Sequence, residues 1–181
     1  MHIPTNWTFE NASIAANFDQ HVRETLPWYD LATGAVAHIA RHYIPKGGVV
    51  YDIGASTGNI GRALETMLLE RGADLIPIEA SYEMAMQYTG PGAENLINAD
   101  AEDLEYQPCD LIILFLTAMF IPVCGRRAFL AYLRSHLRPG GAMIIVDKCQ
   151  ATSGYAATVL WRLTLAGKIA AGVEASEIRS E

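Results

Sequence analysis

The sequence predicts a doubly wound, mostly parallel α/β sheet. Three observations carry that expectation. Short apolar runs alternate with stretches of helical spacing along the whole chain. Residues 49–61 read as a buried strand, a glycine turn and the opening of a helix. The length of 181 residues, 51% of them hydrophobic, suits one folded domain with a sizeable core. The domain is therefore expected to cover residues 1–181, with an N-terminal lid segment of about residues 1–43.

In chain order, residues 1–17 read as an arm or a short helix. In the following stretch, Phe18 to Tyr29, Pro27 breaks any helix. Residues 30–43 read as a helix, with Leu31, Val36, Ile39, Ala40 and Tyr43 near helical spacing. Pro45-Lys46-Gly47-Gly48 ends it and delivers the chain into a first strand, Val49 to Ile53. Gly54 and Gly58 allow a sharp turn and a close approach of the backbone to a ligand. Ser56 or Thr57 is placed to cap the next helix, which runs to about Arg71 with Ile60, Ala63, Leu64, Met67 and Leu68 on one face. Gly72 stops it. A second strand is expected over 74–79, a short helix over 80–88, and a third strand over 95–98 that ends at Asp100. A fourth follows over 110–116, a helix over 125–137, a Pro-Gly-Gly closure, and a fifth strand over 142–147. The tail, 154–172, reads as an amphipathic helix carrying Val159, Leu160, Leu163 and Ile169. There is no internal repeat and no linker. Strands that alternate with helices imply right-handed crossovers, and ligands of open α/β sheets bind outside the carboxyl ends of the strands.

Charge and composition exclude several function classes. The net charge is −7 and there is no basic run, which excludes a large electrostatic footprint for nucleic acid. Arg126, Arg127, Arg134 and Arg138 form either a local basic patch or a solvated helix face. Cys109, Cys124 and Cys149 are odd in number and widely spaced, as in reduced proteins of a cytoplasmic compartment. Residues 1–17 are polar and broken by Pro4, unlike a signal peptide, so the sequon Asn6-Trp7-Thr8 carries no meaning. The longest apolar run, 111–119, is interrupted by Thr117 and too short to span a bilayer, so no membrane partner is expected.

The dinucleotide fingerprint G-x-G-x-x-G fails here. Counted from Gly54, its second and third glycines fall on Ser56 and Asn59. The pattern acid-x-Gly-x-small-x-Gly, through Asp52, Gly54, Ser56 and Gly58, fits instead. It resembles motif I of the class I S-adenosylmethionine (SAM) methyltransferases, usually [D/E]-x-G-x-G-x-G, with Ser56 in place of the middle glycine. In such a site Glu79, closing the second strand, can accept both ribose hydroxyls; otherwise it is a helix-start carboxylate. Asp100 can accept from the adenine amine while the Ala101 N–H donates to a ring nitrogen; otherwise it is a turn aspartate. Tyr29 reaches the methionine carboxylate if the N-terminal segment folds over the site, or is a packed core aromatic. His38 and His42 have metal-compatible spacing but lack the H-E-x-x-H glutamate, so they read as exposed or capping histidines. His2, His21 and His136 are isolated. Asp147-Lys148 either lines the substrate side or forms a local ion pair. No Ser-His-Asp or Cys-His arrangement is present, and no catalytic residue or metal ligand is assigned.

More closely, the chain resembles the tRNA carboxy-S-adenosylmethionine synthase group over roughly residues 18–180. The group's Val-Pro-x-Tyr segment is matched by Leu26-Pro27-Trp28-Tyr29, and its Tyr-Asp-x-Gly-x-Ser by residues 51–56. Its Asn-Phe-Thr-Leu-Gln-Phe run keeps only Thr117 and Phe120, with Phe115 in the place of the asparagine. Its Pro-Gly-Gly and Glu-Lys elements are echoed at 139–141 and by Asp147-Lys148. The resemblance implies a Rossmann-like class I methyltransferase fold that lacks the last two strands of the full pattern. The edge of the fifth strand is then left to the last helix, a dimer partner or a further C-terminal piece. It also implies that Tyr29, Gly54, Ala55, Ser56, Glu79, Ala80, Asp100 and Ala101 contact SAM, with Asp52, Gly58 and Phe115 beside them. The group's arginine for the extra carboxylate falls after residue 181. The expected function is a cytoplasmic SAM-dependent methyltransferase, possible as a homodimer, whose small-molecule or tRNA-linked acceptor is unidentified. The alternatives are a carboxy-SAM synthase-like enzyme and a non-catalytic SAM-binding module.

Overall fold

The computed structural model describes residues 8–148, 154–170 and 172. The sequon's Asn6 and Trp7, Cys149 and the first seven residues of the expected lid lie outside that set. Five strands form one sheet: β1 (Val49–Ile53), β2 (Asp74–Glu79), β3 (Ile97–Asn98), β4 (Cys109–Phe115) and β5 (Leu137–Val146). Their order is β3-β2-β1-β4-β5, and every neighbouring pair is parallel. The helices are α1 (Ala12–Thr25), α2 (Tyr29–Ala40), α3 (Asn59–Arg71), α4 (Tyr82–Ala85), α5 (Val123–Ser135) and α6 (Tyr155–Ala170).

The core lies on both faces of the sheet, as a doubly wound fold requires. On one face Val50, Leu111 and Ile113 pack with Val36 of α2 and Leu64 and Leu68 of α3. On the other, Tyr51, Ile53, Ile112 and Leu114 meet Phe129 and Leu133 of α5. β4 is buried throughout its seven residues, so it reads as an uninterrupted apolar run rather than an alternating one.

Several local expectations change. A helix, α1, occupies most of the stretch before Pro27, ending at Thr25 where the proline ring forbids continuation. β3 is reduced to two residues because a 3₁₀ turn, Ala93–Asn95, takes the positions before it. The helix after β2 is a single turn, Tyr82–Ala85, started by the Ser81 hydroxyl accepting from the Met84 N–H. β5 begins at Leu137 and takes in the Pro-Gly-Gly segment. Cys109 pairs with Leu137 but Leu111 pairs with Ala142, so the extra residues bulge there. Gly140 turns through φ +86° within that bulge. Asp110 pins it: one oxygen accepts from Arg138 Nη1 at 2.6 Å and from the Val49 N–H at 2.8 Å. Three strands are thereby tied at their amino edge. In α6, Leu160, Trp161, Leu163 and Ile169 are exposed, so its apolar residues do not form the packed stripe their spacing suggests.

Leu64 is fully buried at the centre of the α3 face. Leu64→Ala is expected to cost about 2–5 kcal/mol in chemical denaturation, the range for a cavity left by a core leucine.

Candidate functional site

Because all strands run the same way, their carboxyl ends share one edge. Ile53 lies beside Ile78 and Leu114, and Glu79 lies beside Asn98. The glycine turn, Glu79 and the Asp100 segment therefore open on the same side of the sheet. The Asn98 side chain draws them closer by donating to the Glu79 carbonyl at 2.8 Å and to that of Ala80 at 3.1 Å.

The turn is held from within. The N–H groups of Gly54 and Ala55 donate to the Ile78 carbonyl, and the Gly58 N–H to that of Ala55. Gly54 has φ +74° and Gly58 φ +95°, a region that side chains disfavour. A Cβ on Gly54 would lie 2.3 Å from Thr117 Oγ1, and one on Gly58 would lie 2.3 Å from the Thr89 carbonyl oxygen. Both glycines are thus required by the protein's own packing, beyond the ligand approach expected of them. Ser56 sits at φ +54°, which accounts for a glycine at this place in the usual pattern. Neither Ser56 nor Thr57 caps α3: Gly58 is the N-cap, without a side-chain bond. The Ser56 hydroxyl is buried without a partner, and the Thr57 hydroxyl donates to Asp19.

Glu79 bridges two loops. One oxygen accepts from the Ser56 N–H at 2.7 Å, the other from the Ser81 N–H at 3.0 Å. Burial raises its pKa above the ordinary carboxylate value, while the N–H groups of Ser81, Ser56 and Ala80 pull it back. An ionised carboxylate has about four acceptor sites, so capacity for a further donor remains.

Asp52 is the anomaly. It is fully buried, and neither oxygen has a hydrogen-bond partner. Desolvation pushes its carboxyl up to about 7, with the Glu79 charge adding to the rise. Tyr29 opens α2 with its ring buried edge-on to Phe115, centroids 5.2 Å apart. The Arg23 guanidinium lies 5.4 Å from the Tyr29 ring centroid. Burial, followed by the Asp19 charge, raises the pKa of the Tyr29 hydroxyl. Its packed ring matches the core alternative, while the Asp52 charge still acts on its hydroxyl. Ala55 is buried, Ala101 half-buried, and Ala80 and Asp100 are exposed. Asp100 opens a 3₁₀ turn, Ala101–Asp103, through its carbonyl, which accepts from the Asp103 N–H, and not through its side chain.

Other sites recede. His38 on α2 and His42 in the turn after it are exposed, their rings 6.0 Å apart, and no group of three metal-binding side chains occurs among the described residues. Arg126 is turned inward onto the carbonyls of Met119 and Ile121, and Arg138 onto Asp110, which breaks up the suggested basic patch. The Asp147 carboxylate accepts from the Lys148 N–H.

Three contributions escape a reading by motif. Phe9 crosses the mouth of the crevice: its carbonyl accepts from the Ser81 hydroxyl at 2.8 Å, after β2, and its ring meets Phe120, after β4, at 5.4 Å. Asp19 and Arg23 of α1 reach the turn and the start of α3. Their four-residue spacing on one helix face was the available signal.

The methyltransferase domain family matches residues 51–145. This chain belongs to that family. The chain is 31% identical, over 148 residues, to a carboxy-S-adenosyl-L-methionine synthase of Staphylococcus epidermidis. The match covers 80% of this chain and 64% of that relative's length. DesVI of Streptomyces venezuelae superposes with a TM-score of 0.57 at 19% identity, over 78% of this chain and 61% of that one. A DhpI-SAM-HEP complex superposes at 0.53 and 20%, over 85% and 67%. These likenesses show that the domain has the Rossmann-like class I fold. No helix among the described residues is long and apolar enough to cross a membrane.

Asp52 predicts a pH signature. Its folded value, about 7, lies above the ordinary 3.8, so between those limits the folded state holds more protons than the unfolded one. Stability from this group is full below about 3.8 and is lost as pH rises through 7. Asp52→Asn is therefore expected to melt above the parent at pH 8 and to lose that advantage at pH 4, read by thermal denaturation.

Proposed function

We propose that this methyltransferase domain binds SAM at the carboxyl edge of β1, β2 and β3 and transfers its methyl group to an acceptor. The observation that carries the reading is Asp52, a buried acid with no partner beneath a glycine turn. A buried charge is costly unless it is paired, and the ammonium group on the amino-acid arm of SAM supplies a partner. Glu79 supports the reading, since its carboxylate retains acceptor capacity for a ribose hydroxyl. Asp100 would accept from the adenine amine and the Ala101 N–H would donate beside it. Ala55, Ala80 and Phe115 would supply apolar contact, Gly54, Ser56 and Gly58 the backbone cradle, and Tyr29 a hydroxyl near the amino-acid arm.

SAM supplies an electrophilic methyl on a sulfonium, a good leaving group. The chain's own task is to orient that carbon and hold water away, which positioning alone can do to large effect. Residues 8–43 form a lid in this reading, supported by Phe9 spanning the loops after β2 and β4. A cytoplasmic setting is supported by the free thiols of Cys109 and Cys124, and a homodimer by the exposed apolar residues of α6. The acceptor is a small molecule or a tRNA-linked group.

Calorimetric titration with S-adenosylhomocysteine tests the reading. The parent is expected to bind, and Glu79→Gln to weaken binding about ten- to a hundredfold, as the loss of a bond to a charged group implies. No binding by the parent at millimolar ligand overturns the proposal. A second reading, formation of carboxy-SAM, is favoured by the Staphylococcus epidermidis relative. Mass spectrometry of co-purifying ligand separates the two by the mass of the added carboxyl group.

A further inference from the structure

One ion pair ties α1, α3 and the loop at Thr89 to the glycine turn. Asp19, on α1, accepts from the Thr57 hydroxyl at 2.5 Å with one oxygen and from Arg62 Nη2 at 2.6 Å with the other. Arg62, on the first turn of α3, also donates through Nη1 to the carbonyls of Thr57 at 2.5 Å and Thr89 at 3.1 Å, and to the Thr89 hydroxyl. The Thr89 N–H closes the ring onto the Thr57 carbonyl at 3.1 Å. One turn further along α1, Arg23 donates to Asn59 and to Asp30 of α2. Asn59 in turn donates to Thr33 of α2 at 2.8 Å.

These contacts grip the descending half of the turn, residues 57–59, while Glu79 grips Ser56. Thr57 has its hydroxyl and its carbonyl held by partners joined to each other. A turn with three residues at positive φ, Gly54, Ser56 and Gly58, needs such bracing to keep one shape.

We infer that Asp19 and Arg62 are positioning residues that hold the glycine turn in its ligand-receiving conformation, so that docking of α1 sets affinity for an adenosyl ligand. The affinity part rests on the SAM-binding reading above; the bracing part does not. The pair acts through Thr57 and Thr89 and touches no reacting atom.

Hydrogen exchange of the unliganded protein tests the bracing. Asp19→Asn keeps an acceptor for Thr57 but removes the charge facing Arg62. It is expected to speed exchange of residues 55–62 about tenfold, the scale of one charge-assisted bond. Asp110→Asn serves as the comparison, since it breaks a pair of the same length at the opposite edge of the sheet. It is expected to lower the melting temperature and leave exchange in 55–62 unchanged. If Asp19→Asn leaves that exchange unchanged, or no faster than Asp110→Asn does, the inference is overturned whatever ligand the protein binds.

Titration with S-adenosylhomocysteine, well below every variant's melting temperature, then tests the affinity. Asp19→Asn is expected to weaken binding about tenfold in the parent and hardly at all in an Arg62→Gln background, because the two residues act as a unit. Equal losses in both backgrounds, or parental affinity in Asp19→Asn, overturn it. A parent that binds nothing while Asp19→Asn still loosens residues 55–62 overturns the SAM reading and leaves the bracing supported.

Discussion

The bend after β1 has room for one conformation, and the rest of the site is arranged around it. The side chain of Thr117 and the carbonyl of Thr89 occupy the places where side chains on Gly54 and Gly58 would project. Glu79 ties the bend to the loop after β2, and Asp19 with Arg62 ties it to α1 and α3. A turn enclosed in this way presents its backbone in a fixed geometry before any ligand arrives. Preorganisation of that kind lowers the ordering cost of binding.

The two edges of the sheet do different work. At the amino edge Asp110 joins the starts of β1, β4 and β5 through Val49 and Arg138, with every strong contact internal. At the carboxyl edge the polar groups are left short of partners: both oxygens of Asp52 and the hydroxyl of Ser56 have none. Native structures satisfy nearly all buried polar groups, so a cluster of exceptions beneath a glycine turn supports the ligand-binding role proposed for this edge.

The sheet was legible because its signals are local. β1 and β2 match their expected bounds, and α3 ends at Arg71 as Gly72 directs. Misreadings fall where local signals conflict with long-range pairing. The Pro-Gly-Gly segment looks like a loop until Asp110 and Arg138 hold it inside β5 as a bulge. Ser56 and Thr57 look like caps, yet Thr57 is claimed by an aspartate 38 positions earlier in the chain. The apolar positions of α6 have helical spacing, but spacing does not say whether a neighbour packs against them. At the site, Asp52, Glu79 and the turn announced themselves by spacing. The contributions of Asp19, Arg62 and Phe9 did not, since each depends on tertiary proximity that no short motif encodes.

The isolation of Asp52 makes hydrogen ions and cationic ligands rivals for one carboxyl group. Near neutrality, with its value at about 7, the acid is divided between its two forms. A cation that settles beside it must first displace whatever proton is there, and acidification of the surroundings would then act as a competitive inhibitor. The heat of such an exchange would vary with the buffer that receives the proton.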